Sequence, residues 1–345
     1  MTGFLCSPVL AVGGGTVADM FGPSRRGYPL ACWELATWGG SAVGPSFSGF
    51  TYERFGWKGP MWELVAFASF GVMVIACCLP ETLPAAILHQ RAHRLRKANK
   101  YTTFVTYNEL EEIHTSLFKV VGGLFAKAIA LNFQEPIVFV LNLYVALTFA
   151  IFFGMLESYP YVFRNEPYNF GSGQTGLTFL GIFAGGVVAM ILYLLFLRFY
   201  QDHRFNENGD ITPEERLWPA IPGGFFIPLG LFWYGWTTHM HWIMPVIGGF
   251  WYGLAMFTIF MAMLSYLPDA YPSVAATVIA GNCLMRAVLA AAFPLFTTNF
   301  YEKLGAGYAS SVLGVLGLLF VPWPIYLFYR GHHLRMRSRN ARKDI

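Results

Sequence analysis

Residues 137–156 read IVFVLNLYVALTFAIFFGML, from Ile137 to Leu156, twenty positions without a charge. An α-helix needs about twenty apolar residues to cross the roughly 30 Å hydrocarbon core of a bilayer. A helix on the surface of a soluble protein keeps one polar face, and this stretch has none. Comparable runs recur along most of the chain, so lipid is the solvent against which its residues must be read. The pattern predicts an all-α membrane protein with nine spans, near 3–20, 29–50, 61–80, 137–157, 174–197, 217–236, 242–264, 274–298 and 308–329. Three spans precede one long connection and six follow it.

Composition agrees. Charged residues are 12% of the chain, hydrophobic residues 55%, and the mean hydropathy is +0.47, whereas soluble domains carry about 25% charge. Aromatics reach 18%, with 10 Trp, as rings at both bilayer interfaces require. The five cysteines (Cys6, Cys32, Cys77, Cys78, Cys283) fall in apolar runs and read as small core residues rather than as a disulfide framework or a metal site.

The distribution of cations orients the chain. With alternating spans, Arg25, Arg26, seven Lys and Arg of the long connection, Arg198, Arg204, Arg216 and the six of the tail share one side. These are 18 of the 23 Lys and Arg; Arg54, Lys58, Arg164 and Lys303 take the other, and Arg286 stays inside a span. The expected organisation is a three-span N-terminal bundle (1–80), a cytoplasmic linker (81–136), a six-span bundle (137–329) and a basic cytoplasmic tail (330–345). Within the linker, Leu110, Ile113, Leu117, Val121 and Leu124 recur at helical spacing behind an Asn108/Glu111 cap, predicting an amphipathic helix on the membrane surface.

Charges within spans are the first functional candidates, because each costs about 3 kcal/mol or more at the bilayer centre. Arg286, in IAGNCLMRAVLAAAF, is placed to hold an anionic group or to pair with a proton-carrying acid; a structural ion pair is the plainer alternative. Glu34 is the most embedded acid of the N-terminal part. It is a candidate for proton exchange, and the plainer alternative is snorkelling toward Arg25 and Arg26. Trp38, Tyr144 and Asn282 complete the candidates for a substrate or proton pathway, with packing as the plain reading of the aromatic pair. Asp19 and Arg26 are candidates for an ion pair at a short loop. No GxxxxGK[ST] loop, Gly-x-Ser-x-Gly elbow or HExxH occurs. ATP-driven transport and clustered catalytic chemistry are therefore not expected, nor is any cofactor or metal. The tail adjoins a span, so anionic headgroups rather than nucleic acid are its expected partners.

Gly40-x-x-x-Gly44-Pro45-x-x-x-Gly49 combines small-residue packing with a proline bend. It resembles the antiporter motif of major facilitator superfamily exporters, with Ser48 in place of the first glycine of the closing pair. Gly13 to Asp19 followed by Arg26-Gly27 is similar to the fungal drug:proton antiporter branch, the 12-helix multidrug exporters. Trp62-Glu63, Leu79-Pro80-Glu81-Thr82, Glu135-Pro136, Pro213-Glu214-x-Arg216-Leu217, Asp269-Ala270-Tyr271-Pro272, Asn282-x-x-x-Arg286 and Phe293-Pro294-Leu295-Phe296 continue the likeness in order. The resemblance implies a partial major facilitator fold without counterparts of the first three helices. It also implies proton-coupled efflux of small organic compounds by alternating access. The alternative is a truncated, transport-inactive membrane protein that retains the C-terminal bundle. The expected location is the plasma membrane.

Overall fold

The computed structural model describes residues 12–17, 19–22, 24–98, 117–206, 211–338 and 340–343, and among them there are helices and no strands. Residues 12–17 are helical. The helices that follow are α1 (Gly27–Phe55), α2 (Lys58–Cys78), α3 (Pro84–Ala98), α4 (Leu117–Gln134), α5 (Pro136–Arg164), α6 (Ser172–Thr178), α7 (Leu180–Phe196), α8 (Ala220–Trp236), α9 (Ile243–Ala270), α10 (Ala275–Phe320) and α11 (Pro322–Arg337).

Five stretches of the described residues are long and apolar enough to cross a membrane: Lys58–Cys78, Pro136–Arg164, Ser172–Gln201, Ile243–Ala270 and Pro272–Arg337. The last breaks at Gly305, whose φ of 75° and ψ of 160° lie outside helical space. Glycine adopts such a positive φ without a Cβ clash, and the break falls between the expected spans at 274–298 and 308–329. α1 and α8 cover the expected spans at 29–50 and 217–236. The span expected at 3–20 lies mostly outside the described residues, as do Asn108 and Glu111, the expected cap in the linker.

Local chemistry explains the boundaries. α5 starts at Pro136, where the missing N–H costs nothing, behind an extended Glu135. Pro45, Pro160, Pro228, Pro268 and Pro294 lie inside helices. Proline is tolerable inside membrane helices because neighbouring groups can satisfy the freed carbonyl.

α5 packs on α10, and α9 packs between α7 and α8. The α7–α9 crossing is close because Gly185 and Gly253 leave room for the carbonyls of Phe250 and Ile182. α1 leans on α6 and α7, and α2 contacts α1 alone among the larger packing partners. No residue of α2 is buried. α4 packs along α10 and α5, with Ala128 and Leu131 buried; this part of the linker is joined to the bundle.

Two expectations change. Cys32, Cys77 and Cys78 are exposed and Cys283 is half-buried, so they are not core residues; Cys6 lies outside the described residues. In lipid an apolar residue has no drive to turn inward, so apolar context does not locate it. The tail, for which anionic headgroups are the expected partners, also has partners within the protein: α11 extends into it, and the Arg335 side chain is fully buried.

Candidate functional site

A cavity of about 770 Å³ lies between α1 on one wall and α9 and α10 on the other. Its sides are mostly apolar, with Trp33, Phe125 and Phe260 among them, and two embedded charges face it, Glu34 and Arg286. Sequence spacing could not bring these two together; the packing of α1 across the C-terminal helices does.

Glu34 is 1% exposed, and its Oε2 has no hydrogen-bond partner among the described residues. It therefore does not snorkel to Arg25 and Arg26: its position on α1 turns it toward the cavity. Arg286 is 9% exposed. Its guanidinium sits 4.7 Å from the ring centroids of both Phe149 and Phe260, a cation–π arrangement strengthened by desolvation. Its hydrogen bond among the described residues is a long contact, 3.9 Å, to Cys283 Sγ. Glu34 lies within electrostatic reach of Arg286.

The basic end of the bundle supplies the other charges of the lining. Arg216 donates to Asp269 Oδ2 at 3.0 Å, both line the cavity, and Gln201 accepts from the same guanidinium once its amide is correctly oriented. Tyr28 Oη donates to Asp202 at 2.7 Å, tying the start of α1 to the turn after α7. Arg26 also lines the cavity; its Nε is buried without a partner among the described residues, and Asp19 is exposed. No ion pair forms between Asp19 and Arg26 among the described residues.

At this end the tail is docked. Arg335 donates to both oxygens of Glu214, at 3.1 and 3.3 Å, and to the carbonyl of Arg342 at 2.7 Å. The Arg342 amide donates to Ala270 at 2.8 Å, and Asn340 donates to Glu135 at 3.1 Å. Burial, then the Glu135 charge, holds the Tyr271 hydroxyl well above its ordinary range. It stays protonated and faces Glu135 as a donor at 3.5 Å.

At the other end α1 packs closely on α6. Ser46 donates to the Gly176 carbonyl at 2.9 Å, and the Gly173 amide donates to Glu53 at 2.8 Å. Gly49 and Gly176 let backbone meet backbone: a Cβ at either would run into a carbonyl oxygen, that of Ser172 or of Pro45. Gly40 and Gly44, by contrast, have nothing within 4 Å of where a Cβ would stand. Within the glycine–proline motif, then, Gly49 and the Pro45 carbonyl form the close contact.

Trp38 and Tyr144 do not line the cavity. Trp38 packs edge-on against Phe152, centroids 6.1 Å apart, and Tyr144 stacks on Phe320 at 5.7 Å. Asn282 is also buried, and it ends a chain of amides. Asn282 donates to Asn142 at 2.9 Å, Asn142 to Asn132 at 2.8 Å, and Asn132 to Met285 Sδ at 3.5 Å. Asn132 and Asn142 escaped the reading of the sequence, although amides inside the apolar runs at 131–133 and 141–143 were the available signal.

Comparison with known proteins fits this architecture. A sequence model described as Major Facilitator Superfamily matches residues 1–294. The chain is 33% identical over 349 residues to Transporter mfs1 of Schizosaccharomyces pombe, across 99% of this chain and 66% of that protein. It is 34% identical over 346 residues to Efflux pump FUB11 of Gibberella moniliformis, covering 99% and 58% respectively. It is 32% identical over 345 residues to Major facilitator superfamily multidrug transporter FLU1 of Candida albicans, covering 98% and 56%. The chain thus spans between 56% and 66% of the length of these relatives.

Proposed function

The chain belongs to the major facilitator superfamily, and on that premise we propose that it moves small organic compounds out across the plasma membrane in exchange for protons. Its relatives are named as transporters and efflux pumps. The observation that carries the reading is the cavity between α1 and the α9–α10 wall, which holds Glu34 and Arg286 and is lined by Arg26, Arg216 and Asp269 at the basic end, while α1 and α6 pack closely at the other. That geometry matches one of the two end states of alternating access, in which bundles rock about a fixed site. In this scheme Glu34 takes up and releases the proton, Arg286 biases its charge, and the apolar walls hold the substrate.

The same reading assigns about nine crossings. Three lie in residues 1–80 and six in 137–329, with the connection 81–136 and the tail 330–345 on the cytoplasmic side. The skew of Lys and Arg supports this orientation. The competing reading, a transport-inactive protein on the same helices, predicts no coupled flux. Proteoliposomes loaded with the pH dye pyranine separate the two. Addition of small amphiphiles evokes proton movement through the purified chain, abolished by an uncoupler, if the proposal holds. Silence across a broad panel of compounds sinks it.

A further inference from the structure

The charges of the cavity do not balance. Three cations line it, Arg26, Arg216 and Arg286, against two acids, Glu34 and Asp269. Arg216 is committed to Asp269 at 3.0 Å. Glu34 opposes Arg286, without a contact close enough to be an ion pair, and Arg26 has no acid partner among the described residues. Whenever Glu34 carries its proton, two cations face the cavity unmatched. A buried cation without a counter-charge is costly, and an arriving anion relieves the cost.

The presentation of Arg286 narrows the anion. Phe149 and Phe260 each lie 4.7 Å from its guanidinium carbon. The two centroids are themselves only 5.9 Å apart, so both rings flank the guanidinium from one side, and its N–H groups beyond them are left toward the cavity that Arg286 lines. The bond those groups make among the described residues is the 3.9 Å contact to Cys283. A planar fork with vacant N–H groups fits a carboxylate through two parallel hydrogen bonds. The surrounding walls, with Trp33, Phe125 and Phe260, suit an apolar body. Arg26, at the basic end, adds a positive field that draws anions in.

We propose that the cavity selects monoanionic amphiphiles, compounds with one carboxylate on a compact apolar body, and that Arg286 is the receptor for the carboxylate. This rests on the reading of the cavity as the substrate site. A cation-selective site would need an unmatched acid, and Glu34 already faces Arg286.

The test uses the purified full chain in lipid nanodiscs and three probes that share one ring system. Tritiated 1-naphthaleneacetate binding is measured directly, and 1-naphthaleneacetamide and 1-(1-naphthyl)ethylamine are measured as competitors. The carboxylate is expected to bind about 10-fold or more tightly than the amide, the scale of one charge-assisted hydrogen bond. Arg286→Gln should erase that preference while the amide still binds, which shows the variant is folded. Arg26→Gln, away from the two rings, should weaken the carboxylate about 3-fold and leave the amide unchanged. Equal affinities, or preference for the amine, overturn the proposal and leave the cavity as a binding site. Failure of all three probes to bind overturns the cavity as the substrate site, and this inference with it.

Discussion

Glu34 and Arg286 share a cavity, yet they differ in how they are held. Arg286 is backed by two rings on one side, while one oxygen of Glu34 has no partner among the described residues. A ring-backed cation facing the same cavity as such a carboxylate is an arrangement in which the proton, not the arginine, does the moving. Glu34→Gln keeps the shape and removes the exchangeable charge. We expect substrate-evoked proton flux in proteoliposomes to fall by about 10-fold or more, with probe binding in nanodiscs retained. Flux at the level of the unaltered protein would return Glu34 to a structural role. Both residues stood out in the sequence because charge inside a span is expensive. The rest of the site was less visible. Asn132 and Asn142 carry no charge and sit in runs otherwise apolar, so nothing but their polarity marked them. Trp38 and Tyr144 were equally compatible with a cavity wall and with a packed core, because an all-apolar helix has no polar face from which to read its rotation.

At the scale of elements, the close packing of the far end depends on one crossing, α1 against α6. Backbone meets backbone at Gly49 and Gly176, and the side chains of Ser46 and Glu53 bond to the backbone of Gly176 and Gly173. Gly49→Ala places a methyl against the Ser172 carbonyl. It should destabilise the closed crossing by roughly 1–3 kcal/mol, read as faster labelling of a thiol introduced at Ser172 in the variant than in the parent. Gly40→Ala and Gly44→Ala meet open space and should leave labelling unchanged while gaining up to about 1 kcal/mol of helix propensity. Equal labelling in Gly49→Ala and its parent would refute the dependence of this crossing on Gly49. The helices themselves could be read from the chain because twenty uncharged residues have few other uses. The division of labour among the glycines could not, since spacing alone does not say which face meets a neighbour.

Across the whole molecule, packing is uneven. The deep core lies among α5, α7, α8, α9 and α10, α1 is docked on one flank, and α2 is exposed along its length. The basic end is bound together from several directions by Arg216 with Asp269, Tyr28 with Asp202, and the tail around Arg335. Arg335→Ala strands Glu214 without its buried partner and should cost roughly 3–5 kcal/mol. The signs are a lower melting temperature for the purified protein and earlier tryptic cleavage within 330–343. Arg337→Ala, its exposed neighbour, should change neither; equal effects of the two would show that the docked contact is not what holds the tail. Charge counting along the sequence put this segment on the basic side but could not distinguish an arginine facing water from one inserted between helices. Because Arg335 and Ala341 are buried and the Arg342 amide is bonded to Ala270, an antibody whose epitope needs those residues would read conformation, not abundance: it recognises only molecules in which they have been released.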